Sequence, residues 1–539
     1  MVRYKLCNNY GVSRIQTDRL TMQGSCFWNN RLLSEEDEEQ IIHLLRQNRS
    51  HEFHGFYSIY VFDAPDVYCL CDPMRSYPVF YCCHKEDLYI SDNPYWIAQE
   101  TKDRLDGKKA EDYKLALFTF GDETLFSSVK QLRAGEMLHY RDGRLTVRKA
   151  GAVYEGHYRN RSYPAWMREH EAALKQAFTR LIRFADGRRI VVPLSGGYDS
   201  RLVACMLKKL NYEHVTAFTY GDPAGAEVRL SREVARRLHY DWLYIKAEKE
   251  DCEQARDSEE FLAFFSYAGR AVSVPHLQDW ICIKKMREHG WIPEDSVIVP
   301  GHAGDVLSGE CSDRKGWLYK NKTGERDIRK AAQAAVDYLF TEKFLSRDEK
   351  RYYEACVARE MRRFSSAPDT ASLYESWWLC ERTSKFIINS VRAYEFFGYQ
   401  WWLPLADRGY ADFWSEVPLP YRADQKIYCD TVKELMNQVL HKAIPREGEA
   451  AGHFNGMKKL ASRYCSINAR NQLKRIIRKP DEMRREYERG PGLMWYYFTR
   501  NSEEYMDFKQ KNNTANYAAG EYYLKHFDDF MEAERAAEP

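Results

Sequence analysis

The chain has 539 residues, enough for two large domains or three to four ordinary ones. Apolar residues make up 44% and charged residues 30%, which supplies real cores and excludes global disorder. With 81 Lys and Arg against 79 Asp and Glu the net charge is +2, so no bulk field draws the chain to nucleic acid or anionic lipid.

Up to about residue 160 the chain reads as short strands and turns. Leu32 to Arg46 stands out, with apolar positions near helical spacing. Ser58–Phe62 precedes the turn composition Asp63-Ala64-Pro65-Asp66, and Val67–Cys71, Val79–Tyr81 and Asp87–Ile90 follow. Their aromatic and β-branched content predicts an antiparallel sheet domain. Met137–Tyr140 and the hairpin signal Arg141-Asp142-Gly143-Arg144 close the region, and Gly156 to Pro164 reads as a linker. Helical periodicity begins at Trp166 and runs to Arg183.

Then the pattern changes. Arg189–Leu194 has a short apolar run without a polar face, which suits a buried parallel strand. A helix follows over Leu202–Leu210, then a strand over Val215–Thr219, a helix over Leu230–Leu238 and a later strand at Val297–Val299. Alternating strands and helices predict an open α/β layer with its ligand beyond the carboxyl ends of the strands. Beyond about residue 330 the pattern is mostly helical. Phe527 to Pro539, rich in Glu, Ala and Asp, reads as a solvated helix end that frays.

The strongest local signal is Leu194-Ser195-Gly196-Gly197-Tyr198-Asp199-Ser200, between a strand and a helix. Adjacent glycines let backbone amides turn toward an anion, and the helix start adds unpaired amides and a favourable dipole. Ser195 and Ser200 offer hydroxyl donors, and Asp199 can hold a cation shared with phosphate. The plain alternative is a strand-to-helix turn capped by Ser and Asp. A Walker A loop is excluded by the missing Gly-Lys-Ser/Thr, and the Rossmann Gly-x-Gly-x-x-Gly is absent.

This stretch resembles the pyrophosphate-binding loop of the ATP pyrophosphatase superfamily, in its asparagine synthetase branch. Val297-Ile298-Val299-Pro300-Gly301-His302-Ala303-Gly304-Asp305-Val306-Leu307-Ser308-Gly309 is similar to the branch's Ser-Gly-Glu-Gly-Ala-Asp-Glu-Leu-Phe-Gly. The resemblance implies ATP and Mg²⁺, adenylation of a carboxylate with release of pyrophosphate, and displacement of AMP by an amine. It implies that Leu194, Ser195, Gly196, Gly197, Asp199, Ser200 and Gly301 bind the nucleotide. Asp199 and Asp305, 106 residues apart, would hold the magnesium. Phe218-Thr219-Tyr220-Gly221 resembles the strand end lining the adenine site, and Glu227 opens a segment like the family's next helix. Leu403-Pro404-Leu405-Ala406-Asp407 resembles Pro-Phe-Leu-Asp. Arg392 falls where the family has a substrate-side arginine, against a structural ion pair or cap. Lys458, after Gly452-His453-Phe454-Asn455-Gly456, is the candidate for the family's charge-stabilising lysine, against a surface lysine. His302 replaces a glutamate and is either a proton acceptor or structural; Val306 replaces an acid.

The first domain resembles the family's glutaminase half, through Phe53–Asp63, through Cys71-Asp72-Pro73-Met74-Arg75-Ser76-Tyr77-Pro78-Val79-Phe80-Tyr81 against Arg-Asp-x-x-Gly-x-x-Pro-Leu-Tyr-Tyr, and through Thr124–Gly135. The implied fold is α+β, an Ntn-hydrolase-like antiparallel sheet domain over 1–155. An α/β ATP-pyrophosphatase (adenine nucleotide alpha hydrolase-like) synthetase domain with a helical C-terminal part would follow over 165–525. A working glutaminase uses a cysteine at position 2; Val2 has no nucleophile and Cys7 is internal, so the half is expected to be an inactive scaffold. β-Lactam synthetase and the lasso-peptide macrolactam cyclases are relatives of this kind.

The expected function is an amide-forming ligase acting on a small-molecule or peptide carboxylate and an amine nucleophile, without nucleic acid or membrane. Ammonia-dependent amidation and a non-catalytic nucleotide-binding scaffold are the alternatives, and a homodimer or a partner biosynthetic protein stays open. No stretch of 18 to 20 apolar residues is present, no signal-peptide core follows Met1–Lys5, and 14 cysteines are too sparse for a disulfide scaffold, so the expected location is cytoplasmic. Cys69-x-Cys71 and Cys82-Cys83 lack zinc spacing and fit alternating strand positions. The basic stretch Arg470 to Arg485 reads as a solvated helix face, against a surface for a polyanion or acidic leader peptide, and Trp377-Trp378 and Trp401-Trp402 as core, against the lining of an apolar substrate pocket.

Overall fold

A computed structural model describes residues 1–7, 10–150, 154–309, 325–340, 345–441, 444, 480–489, 492–511 and 514–536. Period-two alternation builds the first domain. β1 (Val2–Lys5), β2 (Arg14–Gln16), β3 (Leu20–Trp28), β4 (Arg31–Leu32), β5 (His54–Asp63), β6 (Asp66–Cys71), β7 (Phe80–His84), β8 (Asp87–Ser91), β9 (Lys130–Gln131), β10 (Glu136–Arg141) and β11 (Arg144–Lys149) form two sheets. The larger is antiparallel, in the order β11-β10-β6-β5-β3-β2 with β4 on β3. The smaller runs β1-β8-β7-β9, and its β1–β8 pair is parallel. Tyr60, Cys69 and Cys71 pack with Tyr81, Leu88 and Ile90 between the sheets. Their neighbours Ile59, Tyr68 and Leu70 face the other way, onto Ile41 to Leu45 of the helix Glu38–Arg46. The expected hairpin forms over Asp142 and Gly143, both at positive φ, and pairs Arg141 with Arg144.

The second sheet is wholly parallel, β14-β13-β12-β15-β16, from β12 (Ile190–Pro193), β13 (Val215–Tyr220), β14 (Asp241–Ile245), β15 (Val297–Ile298) and β16 (Gln400–Trp401). Ile190, Val191 and Val192 are fully buried because helices cover both faces, which is why their run lacks a polar side. The chain leaves β12 in one direction for β13 and β14, then returns on the other side for β15 and β16. The order therefore reverses between β12 and β15, and a crevice opens at their carboxyl ends.

The segment 156–162 is tied down: His157 and Arg159 donate backbone N–H to Ser415 and Glu416 carbonyls, both at 2.9 Å. Trp401 and Trp402 pack against Phe56 of the first domain at 5.3 and 4.9 Å, and Trp377 and Trp378 are also buried. The reading of the tail as a solvated end is corrected. The helix Phe527–Ala536 lies on the first domain, with Phe527 and Phe530 buried against Tyr95, Gln99 donating to the Met531 carbonyl at 2.7 Å and Asn93 to Glu534 at 2.7 Å. Phe527, Phe530 and Met531 form the apolar stripe that the acidic composition hid.

Candidate functional site

The turn Leu194–Gly197 joins β12 to the helix Tyr198–Lys209. Leu194 N–H continues the ladder to the Phe218 carbonyl at 2.8 Å. Two hydroxyls then close the turn: Ser195 N–H donates to Ser200 Oγ at 3.0 Å, Gly197 N–H to Ser195 Oγ at 3.1 Å, and the two Oγ atoms lie 3.0 Å apart. From behind, the fully buried Arg201 donates Nε to the Gly197 carbonyl at 2.9 Å, Nη1 to the Ile444 carbonyl at 2.6 Å and Nη2 to the Gly196 carbonyl. A cation inside the first helical turn thus fixes the peptide planes of both turn glycines.

The segment after β15 leans on this turn. Gly301 is required there, since a Cβ would stand 2.7 Å from the Asp199 carbonyl carbon and 2.8 Å from Asp199 Cβ and Ser200 N. Ala303 takes a left-handed φ of 73° and leads into the short helix Gly304–Ser308. A Cβ on Gly304 would meet Tyr428 Oη at 3.0 Å and Asp199 Oδ1 at 3.1 Å. Tyr428, from the helix Lys426–Leu440, hydrogen-bonds Asp199 Oδ1. Burial first, then Asp199, with Asp305 also contributing, pushes its phenol well up. Asp199 thus bonds this hydroxyl, and Asp305 acts on it electrostatically. Asp305 is half-buried, and its Oδ1 accepts Val306 N–H at 2.8 Å.

A cleft of 310 Å³ opens at this place. Its walls include Leu194, Ser195, Asp199, Ser200, Phe218, Thr219, Tyr220, Glu227, Gly301 and His302, all named from the sequence, together with His276, Gln278, Asp279 and Ser390. Gly196 and Gly197 carry the turn at its edge. His302 Nε2 lies 2.7 Å from Ser390 Oγ, and burial lowers its pKa against the pull of Asp279. Burial also takes His276 down to about 3, so both rings are neutral near pH 7. Asp279 accepts the hydroxyls of Tyr220 at 2.7 Å and Tyr394 at 2.6 Å.

Arg392 is placed elsewhere. It pairs with Glu395, donates to the Ser76 carbonyl of the first domain and stacks over Tyr77 at 5.6 Å. Asp407 caps the helix Arg408–Glu416 and holds the buried Arg180 at 2.7 Å. Lys458, the Gly452–Gly456 run before it and Arg470 to Lys479 lie outside the described residues.

The residues present fit a magnesium ion. Among the described residues no three His, Cys, Asp or Glu side chains gather, but Mg²⁺ takes one or two carboxylates and fills its remaining positions with water and phosphate oxygens. Sequence reasoning missed Arg201, Tyr428, Ser390, His276 and Asp279. Arg201 carried a weak signal, four residues beyond Gly197 on the helix; Tyr428, 229 residues from Asp199, carried none. The family model described as asparagine synthase matches residues 169–451, the stretch that holds the parallel sheet and this cleft. No curated protein matches the chain.

Proposed function

We infer the reaction from the premise that the chain belongs to the asparagine synthase family and is an ATP-dependent ligase of that family. The proposal is that it adenylates a carboxylate, releases pyrophosphate and passes the acyl group to an amine. The observation that carries this is the approach of Gly301 and Gly304 to Asp199, which lines the cleft with Ser195 and Ser200, Asp305 being the next residue after Gly304. In the first step a carboxylate oxygen bonds to the α-phosphorus and the bond to pyrophosphate breaks. In the second the amine nitrogen bonds to the acyl carbon and AMP leaves.

Asp199 and Asp305 are the residues that would hold Mg²⁺, which supplies charge neutralisation on the triphosphate oxygens. The Ser195 and Ser200 hydroxyls and the amides opening the helix Tyr198–Lys209 hold the departing pyrophosphate. Phe218 and Thr219 receive the adenine. Tyr428 orients the Asp199 carboxylate and Arg201 keeps the turn in shape. His302, kept neutral by burial and held at Nε2 by Ser390, takes at Nδ1 the proton that the attacking amine loses.

The proposal places no glutaminase in the first domain. Cys7 donates its N–H to Asp92 at 2.9 Å, and burial, with Asp92 and Glu534 beside it, pushes its thiol up to about 12, so no thiolate is at hand near pH 7. The amine then comes from the substrate itself, as in β-lactam synthetase and the lasso-peptide cyclases, or from free ammonia. Pyrophosphate release from ATP, measured over a panel of carboxylates with amine, ammonium or glutamine, tests the reading. Release should require a carboxylate, and ammonium or an amine should raise turnover where glutamine does not. Nucleotide binding without release for any carboxylate would support the scaffold alternative.

A further inference from the structure

A second cavity lies between the turn 71–80 of the first domain and the helical stretch 379–396 of the second. Its volume is 20 Å³, about the room of one water or one monatomic ion. Arg75, Arg270, Lys385 and Arg392 line it, with Pro78 and Asn389. All four cations are buried, between 2% and 7% exposed.

Two of them have carboxylates. Lys385 Nζ stands 2.6 Å from Glu381 Oε2 and donates to the Thr119 and Gly121 carbonyls at 2.8 Å, and Arg392 pairs with Glu395. Among the described residues Arg270 donates to the Tyr267 carbonyl at 3.1 Å, lies over the Tyr267 ring at 4.8 Å and has no carboxylate partner. Arg75 Nε and Nη2 are buried with no acceptor among the described residues. Among the described residues, four cations against two carboxylates leave two positive charges at a dry junction, an arrangement that is costly unless an anion joins it. Burial, with Arg392 and Arg270 close by, pulls the Arg75 guanidinium down to about 10. Arg75 also sits at φ 53°, where the resembled stretch Arg-Asp-x-x-Gly has its glycine, so a large cation occupies backbone that favours none.

We propose that this cavity is a halide site, in which chloride lies between Arg75 and Arg270 and fastens the first domain to the helical stretch that carries Ser390 and Arg392. The volume excludes phosphate and any carboxylate metabolite. The neutral rival is a water bridging Arg75 to Asn389, whose Oδ1 is also buried without a donor among the described residues.

Crystals of the full chain grown in sodium bromide, measured at the bromine absorption edge, test the site directly. The expected result is an anomalous peak within about 3.5 Å of Arg75 Nη2 and of the Arg270 guanidinium. Melting of the same protein in chloride, bromide and gluconate at one ionic strength should show a halide gain of a few degrees (~3 °C) that disappears in Arg75→Met. A bridging water without anomalous signal, or Arg75 paired with Glu381 Oε1, overturns the proposal. So does a halide gain retained in full by Arg75→Met; if that variant fails to fold, the bromine map of the natural chain decides alone.

Discussion

Two aspartates show how differently the two domains use a buried acid. Asp72, in the first domain, is fully buried, and its carboxylate accepts Tyr57 N–H at 3.1 Å, Met74 N–H at 2.7 Å, Ser76 N–H at 3.0 Å and Ser76 Oγ at 3.2 Å. Asp199, in the second, is half-buried, meets Tyr428 through one oxygen and lines the cleft. The first holds a turn in shape; the second faces the space where a ligand would sit. Saturation by backbone donors marks a scaffold acid, and exposure to a cleft marks a reactive one.

That contrast breaks if the two acids respond alike to substitution. Asp199→Asn should cut pyrophosphate release about 1000-fold, or ~4 kcal/mol in the barrier, with denaturant unfolding unchanged. Asp72→Ala should do the reverse, lowering unfolding stability by about 3 kcal/mol because it strands three buried amides, while surviving folded protein keeps its kcat. Stability measured from pH 7.5 to 4 sharpens the comparison. His170, bonded to Thr431 and Tyr410, and His276 are held down to about 3 by burial, so below about pH 6.5 the unfolded chain binds protons that the native state refuses, and stability falls with pH. Asp72, pushed up to about 6 by burial, works the other way below that value. His54, held down to about 4 by burial, offsets Asp72 near pH 5, so His170 and His276 leave a net slope from these four groups of about 2.7 kcal/mol per pH unit, stability falling as pH falls. The smallest effect is expected from Tyr428→Phe, which loses the Asp199 hydrogen bond: release should drop about fivefold, ~1 kcal/mol, with more magnesium needed for half-maximal rate.

Legibility in the sequence followed the range of the contacts. The Ser195–Ser200 turn, Phe218-Thr219 and Gly301–Asp305 each place their chemistry in one contiguous run at a strand end, where local pattern and topology agree. Ser390 and His276 reach the cleft, and Tyr428 reaches Asp199, only through folding, so no spacing announces them. β16 is two residues long, too short for any period to show, and the wide helical turns over Leu379–Ile387 leave no sequence mark. Arg392 stood out as an arginine at a suggestive distance, but its carboxylate partner lies three residues on and its carbonyl partner in the other domain. In the tail, the acidic composition masks the helical spacing of Phe527, Phe530 and Met531.

The central claim is that the turn after β12 receives the phosphates of ATP while Asp199 and Asp305 share one divalent ion. A crystal structure of the full chain with a non-hydrolysable ATP analogue and Mn²⁺, mapped at the manganese edge, tests it most directly. The account predicts a manganese peak bonded to both carboxylates and phosphate oxygens on the Ser195 and Ser200 hydroxyls. Nucleotide bound elsewhere, or manganese away from both aspartates, would contradict it.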